Sequence, residues 1–76
     1  MTLRPVSADK VLKVLGRAGF KVVRQSGSHV ILKHPEGRLT IVPVHRGEDI
    51  GRGLLLKIVK DAGLTREEFL KLLEET

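Results

Sequence analysis

The sequence predicts an α+β domain in the order helix, three-stranded antiparallel sheet, helix and short C-terminal helix. Three observations carry this: apolar residues at helical spacing near the start, three β-branched runs separated by glycine-containing turns, and two further helical stretches after a glycine-rich loop. The 76 residues leave room for one domain, 1–76, ending in a short C-terminal helix over 65–75. A chain this short buries a modest fraction of its surface, so function is expected on a surface or in a shallow groove.

Ser7 is the expected N-cap of the first helix, with Asp9 in its first turn, where a carboxylate opposes the positive end of the helix dipole. Ala8, Val11, Leu12, Leu15 and Ala18 then share one face, Lys10, Lys13 and Arg17 the other, and Gly19 stops the helix. "FKVVRQ", "SHVILKH" and "RLTIVPV" read as three strands of a meander. The first turn, "SGS", puts Gly27 where φ > 0 is wanted, and the second, "HPEGR", offers Pro35 and Gly37. Side chains alternate across a strand, so Val30 and Leu32 share one face of the second strand and His29, Ile31 and Lys33 the other. With Val30 and Leu32 under the helices, His29 falls on the open face. Pro43 cannot donate a ladder hydrogen bond, so the third strand is an edge or ends there.

"HRGEDIG" reads as a loop, and "RGLLLKIVKDA" as a second helix with Leu54, Leu55, Ile58, Val59 and Ala62 inward, Lys57 and Lys60 outward, and Gly63 as its stop. In "LTREEFLKLLEE", Thr65 and Glu68 have the spacing of a capping box, with Leu64 and Phe69 as a hydrophobic staple.

Charge is unevenly placed: residues 1–60 carry 12 Lys/Arg against 4 Asp/Glu, and 61–76 carry 2 against 5. A body near +8 suits a polyanionic partner, because neutralised phosphates supply most non-specific affinity for nucleic acid. The same charge is also what a solvated surface rich in Lys and Arg would show. The absence of Asn, with a single Gln and a single Met, is the depletion of labile side chains expected of a thermophile. Cysteine is absent, which excludes disulfides and thiolate metal sites. No apolar run approaches the roughly 18 residues of a membrane span and no signal peptide is apparent, so a soluble cytoplasmic protein without membrane contact is expected.

His29 is the one residue whose position suggests chemistry by itself, since histidine is the side chain that gains and loses a proton nearest neutrality and a tight turn would hold it rigid yet wet. Spacing alone leaves a surface histidine beside a turn equally open. His34 before Pro35 reads as a turn-facing polar residue, and His45 lies in a loop from which it could swing toward the sheet. Convergence of all three would be required for zinc, and no "HExxH" spacing supports it, so no metal or small-molecule cofactor is expected. "GEDIGRG" lacks the ending of a phosphate loop. Ser26 and Ser28 flank His29, but neighbours on a strand point to opposite faces, which argues against a Ser–His hydrolase.

Taken together, "AGFKVVRQSGSHVILKHP", "RLTIVPVH" and "GLLLKIVKDAGL" resemble the HicA family of small toxins, ribonucleases paired with HicB antitoxins. The resemblance covers residues from about 7 to 64 and leaves "TREEFLKLLEET" outside it. It implies a fold like a double-stranded-RNA-binding domain, mRNA as substrate and a HicB-like antitoxin as partner. The family's catalytic histidine, in its "GSH", corresponds to His29. The activity implied is a metal-independent endoribonuclease in which His29 is the general base; Lys33, Arg24 and Arg46, with Ser28, are the candidates for RNA contact and His45 for an accessory acid. A non-catalytic RNA-binding module, or an inactive relative serving as an interaction protein, is the alternative from another class.

Overall fold

The computed structural model describes residues 3–76. Its order is β1 (Val6–Ser7), α1 (Ala8–Arg17), β2 (Lys21–Ser26), β3 (His29–Lys33), β4 (Leu39–Pro43), β5 (Asp49–Ile50), α2 (Arg52–Asp61) and α3 (Arg66–Glu74). This is the predicted α+β layout, a helix, a three-stranded antiparallel sheet in the order β2–β3–β4, and helices, consistent with the double-stranded-RNA-binding-domain-like fold. No helix among the described residues is long and apolar enough to cross a membrane.

Local chemistry sets the element ends. The Ser7 hydroxyl accepts a hydrogen bond from the Lys10 backbone N–H at 3.3 Å, capping α1. At α3 the capping box is complete: Thr65 Oγ1 accepts from the Glu68 N–H, and the Glu68 carboxylate accepts from the Thr65 N–H at 2.8 Å. Gly27, in the β2–β3 turn, has φ 58°, a conformation that costs a residue with a Cβ far more than it costs glycine.

Val30 and Leu32 of β3 and Thr40 and Val42 of β4 are buried beneath the helices, where α1 contributes Val11, Val14 and Leu15 and α2 contributes Leu55, Ile58 and Val59. Phe69 brings α3 into the same core with no exposed surface. α1 and α2 both pack on β4, and β2 is left as an overhanging edge. Val22 lies opposite Leu32 and so points to the helix side, yet it is 58% exposed. A register shift at Val23 and the charges of Lys21 and Arg24 blunt this edge against pairing with another chain.

Two sequence expectations need correction. The segment read as the loop "HRGEDIG" contains β5, which pairs antiparallel with β1 through Val6–Ile50 and Ser7–Asp49. Leu54 is 41% exposed and not inward, because the core stripe of α2 is Leu55, Ile58, Val59 and Ala62, at i, i+3, i+4 and i+7, and Leu54 falls beside it. His34 faces its turn as expected, and it is also largely covered: its side chain is 15% exposed and its ring meets Phe20 edge-on at a centroid distance of 5.2 Å. Nδ1 of His34 accepts from the Glu36 N–H at 3.0 Å, and a Cβ on Gly19 would stand 2.9 Å from its Nε2, so Gly19 makes room for the ring.

Candidate active site

His29 is the first residue of β3, directly after the Gly27–Ser28 turn, paired across the sheet with Ser26 on one side and Pro43 on the other. Its face of the sheet is the one without helices. Residues directly opposite in an antiparallel pair share a face, so this face carries Ser26 and Arg24 from β2, His29, Ile31 and Lys33 from β3, and Pro43, Ile41 and Leu39 from β4. All of these are exposed except Ile31 and Pro43, which are half-buried, and the charged or titratable ones among them are His29, Arg24 and Lys33. Arg24 stands opposite Ile31, one step along β3 from His29, whereas Lys33 lies four residues along, about 13 Å at 3.3–3.4 Å per residue. Ser28 is in the turn, and its carbonyl accepts the Val44 N–H at 2.6 Å, which ties the turn to the end of β4.

The other two candidates are placed elsewhere. His45 and Arg46 line a cavity at the start of α1 together with Asp9, Glu48 and Asp49. His34 is committed to Phe20 and Glu36. The three histidines therefore do not converge, and among the described residues no group of three or more His, Asp or Glu is placed to hold a metal ion.

His29 instead lines a groove of about 430 Å³ that runs between β4 and α2. Leu39, Ile41 and Pro43 form its sheet side, and Leu54, Lys57 and Asp61 its helix side. These last three are at i, i+3 and i+7, a second stripe of α2 beside the core stripe. Lys57 Nζ and Asp61 Oδ2 are 2.9 Å apart, an exposed i, i+4 pair on the rim. Sequence reasoning assigns Lys57 to the outside and passes over Asp61; their four-residue spacing was the available signal, but nothing in it says that β4 lies alongside.

The backbone adds polar groups. The Val44 N–H to Ser28 C=O bond and the His34 N–H to Arg38 C=O bond show that even-numbered residues of β4 face β3 through their hydrogen-bonding groups. Leu39 and Ile41 consequently turn N–H and C=O toward the outer edge of the sheet, where no strand among the described residues pairs.

Chemically, the open face offers a wet imidazole held at a turn, two cations at staggered distances from it, and an apolar groove leading away. No curated protein matches the chain. A family model described as "HicA toxin of bacterial toxin-antitoxin" matches residues 8–64, three quarters of the sequence, from the first residue of α1 to just before α3. Such toxins are in general ribonucleases acting on mRNA. The chain belongs to the HicA toxin family.

Proposed function

We propose that this toxin is a metal-independent endoribonuclease that cleaves mRNA, with His29 as general base, held in check by a HicB-like antitoxin. The observation that carries the reading is the position of His29: exposed, at the start of β3, on the helix-free face that also bears Arg24 and Lys33. In this mechanism the imidazole takes the proton from a ribose 2′-hydroxyl, whose oxygen attacks the adjacent phosphorus. The 5′-oxygen leaves, and the product is a cyclic phosphate. Arg24, nearest along the sheet, offsets charge developing on the phosphoryl oxygens, and Lys33 serves a neighbouring phosphate. Ser28, in the turn before the histidine, is a further candidate for RNA contact. Arg46 and His45 are the remaining candidates for a phosphate ligand and for the acid, although the carboxylates of Asp9, Glu48 and Asp49 in their cavity oppose an anion there.

Cleavage of single-stranded RNA in EDTA tests the reading. The expected products end in a 2′,3′-cyclic phosphate, form only where a 2′-hydroxyl is present, and disappear with His29→Ala. RNA that is bound but never cut would assign the fold to a non-catalytic RNA-binding module.

A further inference from the structure

The groove beside His29 has no part in proton transfer, yet one of its walls is the proposed general base. We propose that it is a nucleobase subsite, receiving one unstacked base of single-stranded RNA next to the bond that is cut. The inference rests on the ribonuclease reading for its position and on the groove itself for its chemistry. An RNA chain with a phosphate at His29 must lay a neighbouring nucleotide along the face, and the groove begins there. Its volume, about 430 Å³, lies near the lower end of small-molecule pockets, so it suits a single ring system and not a duplex.

Bases are commonly received on aromatic side chains. This chain has two aromatics, Phe20 and Phe69, and both are buried. The flat apolar surface on offer is aliphatic: Leu39, Ile41 and Leu54 are each more than two fifths exposed and all line the groove. Donors and acceptors stand on both sides of it, the free N–H and C=O groups of Leu39 and Ile41 on the sheet and the Lys57–Asp61 pair on the helix. Asp61 is the one carboxylate in the lining and is paired with Lys57, so the groove does not repel a polyanion, and Lys33, directly across the sheet from Leu39, adds a cation at that end. A partner strand could in principle use the same free edge. Pro43 has no N–H, however, so of the outward-facing residues of β4 only Leu39 and Ile41 offer both groups to such a strand.

The test uses DNA oligonucleotides with a single ribonucleotide, so that only one bond can be cut, with the base on either side of that bond intact or removed. The wild-type protein is expected to favour the intact base at one of the two positions by roughly fivefold or more, and Leu54→Ser to bring that ratio to about twofold or less. Leu56→Ser, an exposed change on α2 outside the groove, should keep the ratio and the circular dichroism spectrum of the wild type. Indifference of the wild type to base removal at both positions, or an undiminished ratio in Leu54→Ser, overturns the subsite. If no oligonucleotide is cut, the ribonuclease reading fails by itself; fluorescence anisotropy of the same oligonucleotides with the His29→Ala protein then decides the subsite by the same ratios. A wild-type dimer in sedimentation that Ile41→Lys disperses would make the edge a strand-pairing surface between copies and would also overturn the proposal.

Discussion

Along β3 and β4 the two faces of one sheet have opposite fates. Val30, Leu32, Thr40 and Val42 lie under α1 and α2, and Leu32 and Thr40 are each only 2% exposed. One residue away on the same strands, His29, Lys33, Leu39 and Ile41 are open to solvent. Alternation at period two therefore separates stability from chemistry within five-residue segments. What the difference teaches is that parity, and not nearness in sequence, decides what a substitution does here.

The sharpest way to break this comparison is to change neighbours of opposite parity. His29→Ala should lose roughly 100-fold to 10,000-fold of the cleavage rate, the usual worth of a positioned general base, while thermal and urea midpoints followed by circular dichroism stay at wild-type values. Leu32→Ala should do the reverse, costing about 2–5 kcal/mol of stability through the lost side chain and the cavity it leaves. That is a large share of the roughly 5–15 kcal/mol available to a small domain. A His29→Ala protein that melts early, or a Leu32→Ala protein that does not, would mean that the faces are misassigned.

A smaller effect separates the residues of the open face from one another. If Lys33 meets a phosphate, Lys33→Ala should reduce the salt dependence of RNA affinity by about 0.7 in log K per log salt, one contact's worth for a single strand. Measuring binding with the His29→Ala background keeps the RNA intact. An unchanged slope would confine RNA to the neighbourhood of Arg24 and the groove.

The covered face holds one exception to its own apolar rule. Thr40 is buried, and its hydroxyl has no hydrogen-bond partner among the described residues. Burying an unpaired hydroxyl costs about 1–3 kcal/mol, so Thr40→Val should raise the unfolding free energy measured in urea by an amount on the order of 1 kcal/mol. A fall would show that the hydroxyl is satisfied in solution.

The smallest effect lies away from both faces, at the exposed start of α3. Hydrogen bonds from the Thr65 backbone N–H, and then with the Thr65 hydroxyl, hold the Glu68 carboxyl below its ordinary pKa, with Arg38 adding a little. A depressed pKa in the folded state gives stability that is present above the unfolded value and lost as pH falls through the folded one. Glu68→Gln should consequently flatten the acid limb of the stability curve slightly and leave cleavage at neutral pH unchanged. A change in cleavage would tie α3 to the open face.

Much of this architecture was legible because its causes are local. Ser7, Gly27 and the Thr65–Glu68 box act within a few residues of themselves, and each is found where the sequence puts it. The parity of Val30 and Leu32 against His29 follows from strand geometry once the meander is recognised. Val14 escaped notice although it stands three residues after Val11 on the buried side of α1. The cover over His34 could not be read from its turn, because it comes from Phe20 and Gly19, some fifteen residues away along the chain.

By itself, then, the sequence determined the order of the helices and the three-stranded meander, the helix caps, the buried parity of β3 and the family resemblance, and it singled out His29; these depend on spacing and on side-chain chemistry that neighbours supply. Tertiary structure alone decided the β1–β5 pairing, the overhang of β2, the exposure of Leu54, and the separation of His29 from His34 and His45. The groove belongs to the same class. Its sheet wall and its helix wall are joined by no local signal, and only the packing of α2 against β4 brings Lys57 and Asp61 to the edge that starts at His29.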